Sequence, residues 1–195
     1  MSEERRQLIA EKLAALKLEQ KRAQGMQMRP EWVRRFEDAC GHQPELDDFL
    51  SIEQTKDTKS KFYARIKERK GTFLGCWPRE HFASVAWLLR DLSANVEATW
   101  VVLFSRVDHL TGAIRLPAPV ILENAEAVWK VVCEGGSLAT RDLSFVALDF
   151  QHGLMLSLED YYPDSTMPVG DRVLLWLTAW GDFIPASGKV EERSG

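Results

Sequence analysis

The apolar residues of this chain change their spacing once, near residue 96, and that change restricts the fold more than any other feature. Before it, Trp32, Val33, Phe36 and Cys40, and then Phe82, Val85, Ala86, Leu89 and Leu92, recur at helical intervals, with Trp87 and Leu88 widening the second stripe. After it come runs rich in β-branched and aromatic residues: "TWVVLFSRV", "AIRL", "LSFVALDF", "GLMLSLEDYY" and "RVLLWLTAWGDFI". In "GLMLSLEDYY", Leu154, Leu156 and Leu158 share one face, and Met155, Ser157 and Glu159 the other. Helices followed by strands read as an α+β fold. The expectation is a helical N-terminal half and an antiparallel sheet of about five strands in the C-terminal half, with helices packed on one face.

Local signals divide the chain further. Ser2, Glu3 and Glu4 open a first helix, Lys21 and Arg22 suit its end, and Gly25 is expected to stop it. Ile9, Leu13, Leu16, Gln20 and Ala23 follow a 4-3-4-3 spacing, a narrow seam that should dock on the body or on a second copy, giving a homodimer. Pro30 should open a second helix, which Gly41 ends. Residues 1–27 thus read as a helical extension and 28–195 as one domain, mainly helical over 28–95 and mainly strands, with one helix, over 96–195. Segment 54–71 holds seven basic and two acidic residues with Phe62, Tyr63 and Ile66 interleaved. That pattern suits a nucleic-acid or regulatory adaptor, but equally an amphipathic helix with a solvated basic face. Pro78 should sit near the start of a core helix, and Asn124 should cap a helix that Gly135–Gly136 ends. Trp87 and Trp176, set in apolar stretches, are expected to be buried.

Cys40, Cys76 and Cys133 are too far apart for a disulfide framework, and the first 25 residues lack a secretory apolar core, so a cytoplasmic protein is expected. Reactive constellations are scarce. Cys40, His42, Cys76 and His81 could supply zinc ligands, but their spacing matches no common pattern, so no metal is expected. There is no nucleophile elbow, P-loop or dinucleotide fingerprint, so no cofactor is expected. Asp149, Glu159, Asp160 and Asp164, with His152, are the carboxylates an enzyme would use, but no second pattern supports a cleft. The expectation is a protein without catalytic residues.

Charge points to a different role. Residues 1–75 carry 16 Lys/Arg against 13 Asp/Glu, and residues 76–195 carry 9 against 16. From Asp142 to Asp182 there are seven acids and one base, a net of −6, which repels phosphates and attracts basic proteins. Asp149, Glu159, Asp160, Tyr161, Tyr162 and Asp164 form the expected partner surface, with tyrosines as anchors and carboxylates as steering charge.

With "VALDFQHGLMLSLEDYYPD" followed by "LLWLTAWGDF", the C-terminal third resembles bacterial toxin-immunity proteins, the small cytoplasmic inhibitors of polymorphic or contact-delivered toxins. The resemblance implies tight binding of one cognate toxin, often a basic nuclease, with occlusion of its active site. It carries over no individual functional residue.

Overall fold

A computed structural model describes residues 3–69, 72–78, 82–93, 96, 99–133, 142–160 and 173–184. The fold is α+β. The helices are α1 (Glu3–Cys40), α2 (Ile52–Arg69), α3 (Phe82–Ser93), the single turn α4 (Asp108–Thr111), α5 (Ala118–Glu123) and α6 (Ala125–Cys133). The strands are β1 (Thr72–Pro78), β2 (Trp100–Phe104), β3 (Ile114–Pro117), β4 (Leu143–Ala147), β5 (Gly153–Asp160) and β6 (Val173–Trp180). They form one antiparallel sheet of six strands in the order β1-β6-β5-β4-β2-β3.

Strand alternation sorts the sheet into two faces. Val101 and Leu103, Leu143 and Phe145, Leu154 and Leu156, and Leu175 and Leu177 all point to one face and are buried in the main core. Helices α1, α3, α5 and α6 cover that face through Trp32 and Phe36, Val85 and Leu89, Ile121 and Leu122, and Val128 and Trp129. The leucine face expected for β5 is therefore the core face. Val102, Phe104, Val146 and Trp180 point the other way and pack with Phe62 of α2 in a second, smaller core. Helices α1, α3, α5 and α6 thus pack on one face as expected, and α2 lies on the other, because its Phe62 and Ile66 meet this second set of strand residues.

The sixth strand is β1, which sequence reading missed. Gly75 and Pro78 interrupt its apolar pattern, yet Thr72–Pro78 pairs with β6 along its length, with a bulge between Phe73 and Gly75. Pro78 therefore ends a strand, and α3 is described over Phe82–Ser93. Helix α5 was also missed. Pro117 ends β3, and Pro119 falls in the first turn of α5, where a missing N–H costs nothing. Trp87 is a further correction. It is 56% exposed, because Val85, Leu89 and Leu92 already define the buried side of α3. Trp176 is half-buried on the second face, against Phe73.

The largest departure lies in α1. The expected stop at Gly25 and fresh start at Pro30 do not occur, and one helix of 38 residues runs through both, with the 27/28 boundary in its interior. Gly25 serves a different purpose. A Cβ there would lie 2.0 Å from the carbonyl oxygen of Leu110, so only glycine lets α1 approach α4. Pro30 removes one helical hydrogen bond, but Gly25, Arg29, Trp32 and Phe36 share one face of α1 against the body, and this docking holds the helix across it. Gly41 does end the helix, with a positive φ of 66° and its N–H donating to the Glu37 carbonyl.

The Gly25 contact decides the sign of a substitution. Helix propensity alone favours Gly25→Ala by about 1 kcal/mol. The collision with the Leu110 backbone should outweigh that gain and leave a net loss of about 1–2 kcal/mol in urea unfolding followed by circular dichroism. A variant more stable than the parent would show that α1 does not rest on α4.

Candidate functional site

Of the expected partner residues, Asp149, Glu159 and Asp160 are among the described residues, and they fall at the two ends of β5. Glu159 and Asp160 occupy its C-terminal end, opposite Leu174 and Val173 of β6. The ladder between β4 and β5 stops at Leu156, so beyond that residue β5 pairs with β6 alone among the described residues. Asp149 lies at the other end, in the turn from β4 to β5. Glu159 lies six residues beyond Gly153, about 20 Å of strand. The structure therefore does not bring Asp149 together with Glu159 and Asp160. Tyr161, Tyr162 and Asp164 lie outside the described residues.

The turn end of β5 is tightly built. The Asp149 carboxylate accepts the Gln151 N–H at 2.9 Å, and Phe150 adopts a positive φ of 60°. Trp180 Nε1 donates to the Phe150 carbonyl at 3.3 Å. His152 Nδ1 accepts the Asp182 N–H at 2.9 Å, so in this bond the ring proton resides on Nε2. The Asp182 carboxylate is 3.5 Å from the same ring. Asp149 and Asp182 are exposed and flank the half-buried His152. A shallow hollow of about 170 Å³ opens beside this turn, lined by Leu50, Gln54, Asp57, Val102, Leu148 and Phe150, among others. His152 thus holds the chain reversal at Gly181, and Asp149 shapes the turn. Both have structural work within the fold.

A more deeply buried ionic group lies elsewhere, and sequence reading passed over it. Lys59 Nζ sits 2.7 Å and 2.9 Å from the two carboxylate oxygens of Asp108, whose side chain is only 3% exposed. The Ser105 N–H donates to the same carboxylate, and Lys59 lies over the Phe104 ring. Tyr63, one turn along α2, has its phenol pushed up by burial first and then by the carboxylates of Asp142 and Asp108. Lys59 and Asp108 are 49 residues apart, and no local pattern links them. The pair ties α2 to the β2–β3 connection. Over residues 54–69 the basic segment 54–71 lies in the amphipathic helix α2. Phe62 is fully buried, Ile66 is partly so, and Lys61 pairs with Asp57.

Among the described residues there is no group of three metal-ligating side chains. Cys40 donates its thiol to the Phe36 carbonyl at 2.9 Å, and burial raises its pKa. No helix among the described residues is long and apolar enough to cross a membrane. Comparison with known protein families, curated proteins and solved structures found no match.

The Lys59–Asp108 pair has a testable weight. Lys59 is one-third exposed, so its removal should cost about 2 kcal/mol, between the values for exposed and buried pairs. Lys59→Met should lower the urea midpoint, and adding Asp108→Asn should recover part of the loss by removing the stranded charge. Strict additivity of the two substitutions would mean the groups do not interact.

Proposed function

We propose that this chain is a non-enzymatic cytoplasmic inhibitor of the immunity type, which binds one basic cognate toxin and covers its active site. The observation that carries this reading is the partition of charge. Residues 142–182, which hold most of β4 to β6, carry a net of −6, whereas residues 1–75, which supply α1 and α2, carry +3. A field concentrated in one part of a small protein orients a basic partner before contact and speeds its association. The resemblance of the C-terminal third to immunity proteins points the same way. The contact begins at Glu159 and Asp160 and continues into Tyr161, Tyr162 and Asp164, where aromatic anchors slow release. Asp149 and Asp182, at the opposite end of β5, contribute steering charge.

The test is protection of a cell. A basic protein that copurifies with this chain from its host should arrest growth when expressed alone, and co-expression of this chain should restore growth. Glu159→Lys with Asp160→Lys should slow association on the order of tenfold at low salt, and leave the melting curve unchanged because strand pairing there is through the backbone. A harmless copurifying protein, or association insensitive to both salt and the charge reversal, would overturn the reading.

A further inference from the structure

The first six turns of α1 stand clear of the body. Residues 3–17 and 19–24 are all exposed, and Arg22 reaches the body through an ion pair with Glu53. The expected docking of this segment on its own body is therefore not observed. Its seam is left in solvent: Ile9 is 43% exposed, Leu13 52% and Leu16 60%. The direction of the seam matters as much as its exposure. The helix turns about 100° per residue. On that count Ile9, Leu13, Leu16, Gln20 and Ala23 lie on the side of α1 opposite Leu18, Gly25, Arg29 and Phe36, the line along which it meets the body. A straight α1 cannot turn this seam toward its own sheet. The seam is open to another molecule.

We propose that the occupant is the same arm of a second copy, packed antiparallel. The 4-3-4-3 spacing places Leu13 and Gln20 at heptad position a, and Ile9, Leu16 and Ala23 at d. Lys12 and Glu19 then fall at g, and Lys17 at e. In a parallel pair, g of one helix faces e of the next heptad in the other, which sets Lys12 against Lys17 twice. An antiparallel pair sets g against g. A two-fold axis between residues 14 and 15 places Lys12 opposite Glu19 of the second copy, and symmetry makes that bridge twice. The same axis stacks Leu13 on Leu16 and Ile9 against Gln20. Gln20 is a polar group in the seam that fixes register at some cost in stability. Position 3 of one arm comes level with position 26 of the other, so each arm ends where the partner's body begins at Gly25. Both bodies lie outside the helix pair, because each meets its α1 on the face away from the seam.

Sedimentation equilibrium of the full chain over roughly 1–300 μM tests this, and the charges decide the direction of pairing. A monomer–dimer equilibrium is expected. Leu13→Glu with Leu16→Glu should abolish it and leave the melting temperature of the monomer unchanged. Lys12→Glu sets Glu against Glu in the antiparallel pair and should weaken the dimer about tenfold. Glu19→Lys should do the same, and the combined swap should restore the parental constant. A chain monomeric at every concentration would overturn the proposal and leave the arm to a different protein. Tighter pairing of Lys12→Glu would overturn it as well, because that gain belongs to the parallel arrangement. Neither result depends on toxin binding, which the growth assay reads separately.

Discussion

Both long helices hang on one short corner, the segment from Asp108 to Ala113 that joins β2 to β3. Arg29 of α1 donates from Nε to the Thr111 carbonyl at 2.8 Å and from Nη2 to the Leu50 carbonyl at 3.0 Å, and its guanidinium lies over the Phe49 ring. Burial lowers the Arg29 pKa, and the nearby Asp47 carboxylate opposes that shift. From the other side, Thr55 Oγ1 accepts the Ala113 N–H at 2.8 Å, and Lys59 grips Asp108. Backbone approaches at this corner are too close for side chains. A Cβ on Gly112 would lie 1.9 Å from the Leu50 carbonyl oxygen, as one on Gly25 would from Leu110. Packing of this kind has little room to relax, so the corner sets the angle at which α1 leaves the body.

That angle divides α1 into two physical regimes. From Gly25 to Cys40 the helix is held by buried contacts and by Arg29. From Glu3 to Gln24 it has local hydrogen bonds, the Arg22–Glu53 ion pair and a seam aimed away from the fold. An unanchored helix of this length is marginal in water. Anchoring its C-terminal half supplies the nucleus and leaves the free half ready to pair. The acidic sheet lies in a different part of the chain, so a dimer through the arms and a basic partner on the sheet would draw on separate residues.

How much of this could be read from residues alone depended on the range of the interaction. Strands β2 to β6 were legible because each run is short and rich in β-branched, leucine or aromatic residues, and Leu154 and Leu156 lie on the core face as the alternation within β5 requires. Strand β1 was not, because its place comes from pairing with β6 about a hundred residues later. Gly25 could stand for a helix stop or for a close approach, and only the position of Leu110 decides between them. Trp87 looked buried because hydrophobicity was counted without a direction. Asp149 precedes β5 and Glu159 and Asp160 end it, so counting along the chain merged the two ends of that strand into one cluster. The corner itself left no signal, since Arg29, Asp108 and Thr55 are far apart in sequence and each is ordinary alone.

Hydrogen exchange along α1, followed at several protein concentrations, tests the division of that helix most directly. Amides from about residue 28 to 40 should be strongly protected at every concentration, because their opening requires the body to release Trp32 and Phe36. Amides from about residue 7 to 22 should exchange quickly in dilute solution and slow progressively as concentration rises. Uniform protection of the whole helix in dilute solution would contradict the account, since it would place the seam against the chain's own body. Fast exchange of the first half at all concentrations would contradict it too, by leaving the arm without a second copy to pair with.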